Sequence, residues 1–525
     1  MDERDILKFC IERGLLIDSE VLNLFKEESD EESAKLILDK VQRHSNSKII
    51  TKKVIEQNRA FVLEIFSNLP GDSQRRLEKL KIKLGLSIEI SKEELEENMH
   101  VDKSNLQLLE TAESNPVKVA SVTCQPGMKF GLKDFVKYYR GRFTELRNIL
   151  QANPSLENLV SINKLSGIRQ GVSVIGIVSD KRSTKNKNLI LEIEDLTGTT
   201  KVLVNGSKED LLKEAEEIAL DSVIGFKCSG NRDMLFVSEI VYPDSILLER
   251  KKGPVDESVA FIGDLHIGSK NFLKEKFLKF VDYLNGKFPN TSESKKIKYL
   301  FVLGDIVTGV GNYPDQEKDL AIDDLEEHFN LAADLFGRIR KDIQIIISPG
   351  NHEGIRLMEP QPLFNEKYAW RLYDMENVIL TENPVSINFG SKKGFSGFNA
   401  LVYHGFSYPY YANNVPRLMK MKAMNSPEQI MIYLLKHRHL APEKGSAQFF
   451  PSGNDVHLIR EVPDIFASGH THKCAVTYYN NILVVSCAAW ESLTPYQMKF
   501  GNKPDFCKVP VFNLKTREIK ILDFE

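Results

Sequence analysis

The sequence predicts an α/β protein built in parts, and three observations predict it. From about residue 255 to residue 525, apolar strand-like runs alternate with helical stretches, the pattern of a sheet covered by helices. Residues 161–250 keep a strand period interrupted by one helix. Residues 1–69 carry apolar side chains at helical spacing.

Taken in order, Val21, Leu22, Leu24 and Phe25, then Leu36, Ile37, Leu38 and Val41, then Val54, Ile55, Phe61, Val62, Ile65 and Phe66 predict a small N-terminal helical bundle over 1–69. Residues 70–115 are charge-dense and weakly apolar, which suits a linker. Residues 116–160 read as a helical connector, with its helix over "DFVKYYRGRFTELRNIL" at 134–150. Next come "VSVIGIVSD", the polar "KRSTKNKN", "LILEIEDLTGTTKVLV" with a turn at Thr197-Gly198, the helical "KEDLLKEAEEIAL", and two further strands. That order predicts a five-stranded OB-fold β-barrel over 161–250. The loop between its first two strands offers Lys181, Arg182, Lys185 and Lys187 as candidate nucleic-acid contacts, the alternative being a solvated hairpin. Each later region has its own apolar strands, so a chain beginning near Gly167 is expected to fold, and the short "ERKKGP" connection predicts that barrel and C-terminal domain pack together.

Composition narrows the function classes. The longest apolar runs fall short of the roughly 18 residues of a membrane span, and the opening "MDERDILKFC" is acidic where a secretory leader is basic, so a cytoplasmic, non-membrane protein is expected. Cys10, Cys124, Cys228, Cys474, Cys487 and Cys507 lack C-x-x-C spacing, which argues against a disulfide framework or zinc finger and for core thiols. A net charge of −3 gives no global basic signature, so contact with nucleic acid has to come from local patches or a partner.

The chemistry lies at the ends of the strands. "VAFIG" runs into Asp264-Leu265-His266, "YLFVLG" into Asp305, "IQIIISPG" into Asn351-His352-Glu353, "ALVY" into His404, and "DIFASG" into His470-Thr471-His472. Five of the eleven histidines fall on these ends, which is where α/β sheets build their sites. Burying so many carboxylates, amides and imidazoles together is costly unless they are paired or hold metal.

In this set and order, residues 255–525 resemble the calcineurin-like metallophosphoesterases. The resemblance implies a β-sandwich flanked by helices and a two-metal site. Asp305 would bridge; Asp264, His266 and His472 would complete one metal position; Asn351, His404 and His470 would complete the other. His352 would face substrate as a catalytic residue, with Glu353, where many members have Asp, expected to orient it. Mixed nitrogen and oxygen donors favour Mn²⁺, with Mg²⁺, Fe²⁺ or Zn²⁺ as alternatives.

The barrel placed before this domain narrows the resemblance further, together with "GDIVTGVGNYPDQEKDL" (304–320), "LLKHRHLAP" (434–442), "EVPDIFASGHTHK" (461–473) and "VPVFNLKT" near the C-terminus. Over residues 135–525 the chain resembles the small subunit of archaeal DNA polymerase D. That implies a 3′ to 5′ proofreading exonuclease acting on single-stranded or mismatched DNA 3′ ends, joined in a heterodimer to a large catalytic subunit. It leaves contact with a sliding clamp open. The alternatives are a phosphatase or cyclic-nucleotide phosphodiesterase with the same centre, and a noncatalytic assembly subunit.

Overall fold

The computed structural model describes residues 3–19, 21–22, 31–45, 49–51, 54, 117–120, 129–165, 167, 169–288, 292–451, 455–494 and 503–525. The expected 70–115 linker, Cys124, and Leu24, Phe25, Ile55, Phe61, Val62, Ile65 and Phe66 of the expected bundle lie outside these residues. The chain forms two units, Met1–Ala112 and Glu113–Glu525.

In the first unit, helices α1 (Glu3–Glu12) and α2 (Glu31–Ser45) pack with a short parallel pair, β1 (Leu16–Ile17) and β2 (Ile49–Ile50). Ile6, Cys10, Val21, Ile37, Leu38, Val41 and Ile50 form its core. Val41 shares a helix face with Ile37 and Leu38, four and three residues before it, and all three join this core.

The second unit opens with strand β3 (Val117–Ala120) and helix α3 (Leu132–Gln151). The barrel follows: β4 (Arg169–Ser183), β5 (Leu189–Asp195), β6 (Gly198–Val204), helix α4 (Glu209–Glu216), β7 (Val223–Gly230) and β8 (Leu235–Val241). It closes in the order β4-β5-β6-β8-β7. Irregularities in pairing at Val178–Asp180 and at Arg169–Val172 bend the long β4, so that its first half pairs with β7 and its second with β5. Val174, Val178, Leu191, Ile193, Val202 and Phe226 fill the interior.

The remaining elements build a sandwich: β9 (Ser258–Ile262), α5 (Lys274–Leu284), β10 (Ile297–Leu303), α6 (Leu325–Gly337), β11 (Gln344–Ser348), α7 (Glu366–Tyr373), β12 (Val378–Leu380), β13 (Val385–Phe389), β14 (Phe398–Val402), α8 (Pro427–His437), β15 (Ile465–Ser468), β16 (Ala475–Tyr479), β17 (Ile482–Ser486), β18 (Lys508–Asn513) and β19 (Ile519–Asp523). One six-stranded sheet runs β12-β11-β10-β9-β18-β19, the other β16-β17-β15-β14-β13-β3. Strand alternation explains why the two stack. Val259, Phe261, Tyr299, Phe301 and Leu303 of the first sheet meet Phe398, Ala400, Val402, Ile465 and Ala467 of the second in one buried core. Their neighbours Ala260, Ile262, Leu300 and Val302 turn outward beneath α5 and α6, and Phe466, Ile482 and Val484 turn outward beneath α8.

The structure departs from the expected connector in one respect. Val117–Ala120 is not helical; it is an edge strand paired antiparallel to β13, with Val117 buried in the inter-sheet core. Val-Lys-Val is a strand alternation, and β13 offers an edge to pair with. Helix α3 is equally integral. Its Arg142 lies fully buried, with Nε 2.6 Å from Asp455 Oδ2, while Tyr138 donates to Asp455 Oδ1 at 2.6 Å and His439 Nε2 lies 2.8 Å from Oδ2. Arg142 also donates to the main-chain oxygens of Pro442 (2.6 Å) and Asp221 (3.3 Å), tying the sandwich to the barrel. A chain beginning near Gly167 would lack both elements, and with them these partners of β13 and Asp455.

Candidate metal centre

All five strand ends converge. Parallel strands β9, β10 and β11 end side by side in the first sheet, as do β14 and β15 in the second, so five loops meet at one end of the sandwich. Three groups of donor atoms lie within 4.8 Å: Asp264, His266 and His472; Asp305, His404 and His470; and His266, Asp305 and His352. Asn351 joins the second group, its Oδ1 3.1 Å from His404 Nε2.

The turns that achieve this are strained. Asp264, His266, Asp305, His470 and His472 all have positive φ, between 50° and 69°, a region that costs a non-glycine residue about 1–3 kcal/mol and that clusters at functional sites. Main-chain contacts hold them there. The His470 N–H donates to both Asp264 oxygens at 2.9 and 3.0 Å, and the His352 N–H donates to Asp305 Oδ1 at 3.0 Å. Glycine is obligatory at Gly350, where a Cβ would come within 2.2 Å of Asp305 Oδ1, and at Gly304, where φ is +91° and a Cβ would meet His404 Nδ1 at 2.4 Å.

The electrostatics describe donors suited to a cation. Burial holds His266 well below the ordinary histidine range, His470 at about 3 and His472 at about 4, so their rings are neutral with a lone pair to give. His266 Nε2 and His472 Nε2 face each other 3.1 Å apart. Burial pushes Asp264 well above the carboxylate range. Burial works the same way on Asp305, but His404 and His352 outweigh it and hold that carboxyl well below. His404 is driven up to about 10 by Asp305 against the effect of burial. These opposed shifts are those of buried carboxylates competing for positive charge, and two divalent ions would supply it.

His352 stands apart from the other rings. Its Nδ1 is 2.8 Å from the Thr308 carbonyl oxygen and 3.2 Å from Asn312 Nδ2, while Nε2 lies 3.9 Å from Asp305 Oδ2. Its side chain is 18% exposed, against 4% for His266 and 1% for His404. Glu353 does not orient it, contrary to expectation. The Glu353 carboxylate accepts from the main-chain N–H of Ile306 at 2.7 Å and of Gly350 at 2.8 Å, locking the Asp305 and Asn351 turns together. Burial, with Asp305 adding to it, pushes Glu353 up to about 8. Thr308 and Asn312 went unrecognised in the sequence, although both lie in the 304–320 stretch that carries the resemblance.

The four basic candidates in the barrel are not equivalent. Lys181 lies in β4 and donates to the carbonyls of Glu216 (3.1 Å) and Ile218 (2.8 Å), capping the end of α4, so it is not an available loop cation. Arg182, Lys185 and Lys187 are exposed.

Sandwich and site together define a calcineurin-like phosphoesterase, and the sequence model of the calcineurin-like phosphoesterase family matches residues 258–474. The relatives are more specific. A DNA polymerase II small subunit of Methanothermobacter thermautotrophicus is 35% identical over 482 residues, 90% of this chain and 97% of that one. That of Archaeoglobus fulgidus is 30% identical over 518 residues, 96% of this chain and 94% of its own. That of Pyrococcus furiosus is 36% identical over 400 residues, and the match spans 63% of its length. The chain belongs to the family of DNA polymerase II small subunits.

Proposed function

We propose that this chain is the hydrolytic small subunit of a two-chain DNA polymerase and that it removes nucleotides from DNA 3′ ends. The observation that carries the reading is the convergence of Asp264, His266, Asp305, Asn351, His404, His470 and His472 from five strand ends, with Asp305 grouped both with His404 and His470 and with His266 and His352. Asp264, His266, Asp305 and His472 would hold one divalent ion, and Asp305, Asn351, His404 and His470 the other. The bound ions would supply an activated water and neutralise the phosphate.

The protein's own groups do the rest. Nδ1–H of His352 donates to the Thr308 carbonyl and so fixes the ring with Nε2 toward the centre. As water oxygen bonds to phosphorus and the P–O3′ bond breaks, His352 passes a proton to the departing 3′ oxygen, releasing a 5′-mononucleotide and leaving a strand one residue shorter. Exposed Arg182, Lys185 and Lys187 would attract single-stranded DNA through its phosphates, while the larger chain carries polymerisation. Release of mononucleotides from single-stranded and 3′-mismatched DNA in Mn²⁺, compared with hydrolysis of p-nitrophenyl phosphate and a cyclic nucleotide, tests this. Hydrolysis confined to the small phosphoesters contradicts it.

A further inference from the structure

Beneath the second donor set lie two amide side chains that no strand end or motif singles out. Gln361 and Asn383 are 3% and 0% exposed. Amides buried this deeply are costly unless hydrogen-bonded, and here they are bonded in series. Gln361 Nε2 donates to the carbonyl of Gly350, the residue before Asn351, at 2.7 Å. Asn383 Nδ2 donates to Gln361 Oε1 at 2.6 Å, and Asn383 Oδ1 accepts the main-chain N–H of His404 at 2.8 Å. A two-way main-chain bridge, Gln361 N–H to Asn383 O at 2.7 Å and Asn383 N–H to Gln361 O at 3.2 Å, fixes the pair to each other. The side chains therefore join the turn carrying Asn351, from the first sheet, to the turn carrying His404, from the second. The Gln361 segment is itself anchored, since Glu359 Oε2 lies 2.6 Å from His457 Nε2 and the Glu359 main chain pairs with Gln448 and Phe450.

We infer that Gln361 and Asn383 are positioning residues that set the spacing of Asn351 and His404, and hence the affinity of one metal position and not the other. The inference rests on the two-ion reading above. The Asp264 turn at the other metal position is held by a different contact, the His470 N–H donating to Asp264 Oδ1 at 2.9 Å. Partners that orient ligands in this way are typically worth about 10- to 100-fold in metal affinity.

The test is Mn²⁺ titration by calorimetry of the purified full chain, with no substrate present. Wild type should show two sites. Asn383→Leu and Gln361→Met, close in volume but unable to bridge, should keep one site unchanged and weaken the other by about 10- to 100-fold. In the nuclease assay, raised Mn²⁺ should restore their rate, as a merely unfolded fraction would not allow. Should Asn383→Leu fail to fold, Gln361→Met, which keeps the main-chain bridge, carries the same test. Two unweakened sites in the variants, or equal weakening of both, overturns the inference alone. Fewer than two sites in wild type overturns the two-ion reading and the inference with it.

Discussion

Asp305 and His404 face each other from different sheets, with carboxylate Oδ2 3.3 Å from imidazole Nε2. The same oxygen lies 3.9 Å from His266 Nε2, so one carboxylate stands between the two donor sets. Asp305→Ala should therefore lower occupancy at both metal positions, whereas His472→Ala should lower it at one. Metal analysis after dialysis against limiting Mn²⁺ checks this, and equal losses in the two variants would argue against a shared carboxylate.

Acid should loosen the fold through histidines away from the centre. Burial depresses His437 and His439 to about 3, while in the unfolded chain each titrates near 6.5. The unfolded state thus binds more protons between those values, and stability present above about pH 6.5 is lost as pH falls toward 3. His437 Nε2 is buried without a hydrogen-bond partner, so protonation there finds no acceptor. The unfolding temperature in EDTA should fall steadily below pH 6.5, and His437→Phe should reduce that slope.

Helix α3 should prove part of the catalytic unit. Removing one partner of a buried ion pair typically costs about 3–5 kcal/mol, so Arg142→Leu, which strands the fully buried Asp455, should lower stability by that order. A chain beginning at residue 113 should unfold cooperatively by denaturant titration, and one beginning at Gly167 should not.

In the barrel, Lys185→Glu with Lys187→Glu should weaken binding to single-stranded DNA and flatten its salt dependence, because each neutralised phosphate releases counterions. Lys181→Met should lower stability and leave binding nearly unchanged, since its ammonium is spent on the carbonyls of Glu216 and Ile218. Binding isotherms at two salt concentrations separate the two effects.

The strand ends were legible because each donor follows directly on its own β-branched or aromatic run, which tells both the position and the direction of the chain. Other features depend on tertiary contacts that local pattern does not carry. Glu353 sits beside His352 in sequence but turns into the interior, where two main-chain N–H groups wait for it. Lys181 reads as a loop cation until α4 is folded against it. Val117–Ala120 is too short to announce a strand without the β13 edge. Gln361 and Asn383 have no spacing to betray them, because they meet only across the folded sandwich.

The most direct test of the hydrolytic reading is His352→Ala, assayed for mononucleotide release from a 3′-mismatched primer alongside metal content. The geometry at Thr308 and Asp305 predicts two ions per chain, unchanged binding of single-stranded DNA, and a rate lower by about 10²- to 10⁴-fold, the usual worth of a positioned proton donor. Loss of an ion would make His352 a ligand, and an unchanged rate would remove it from the chemistry; either result contradicts the account.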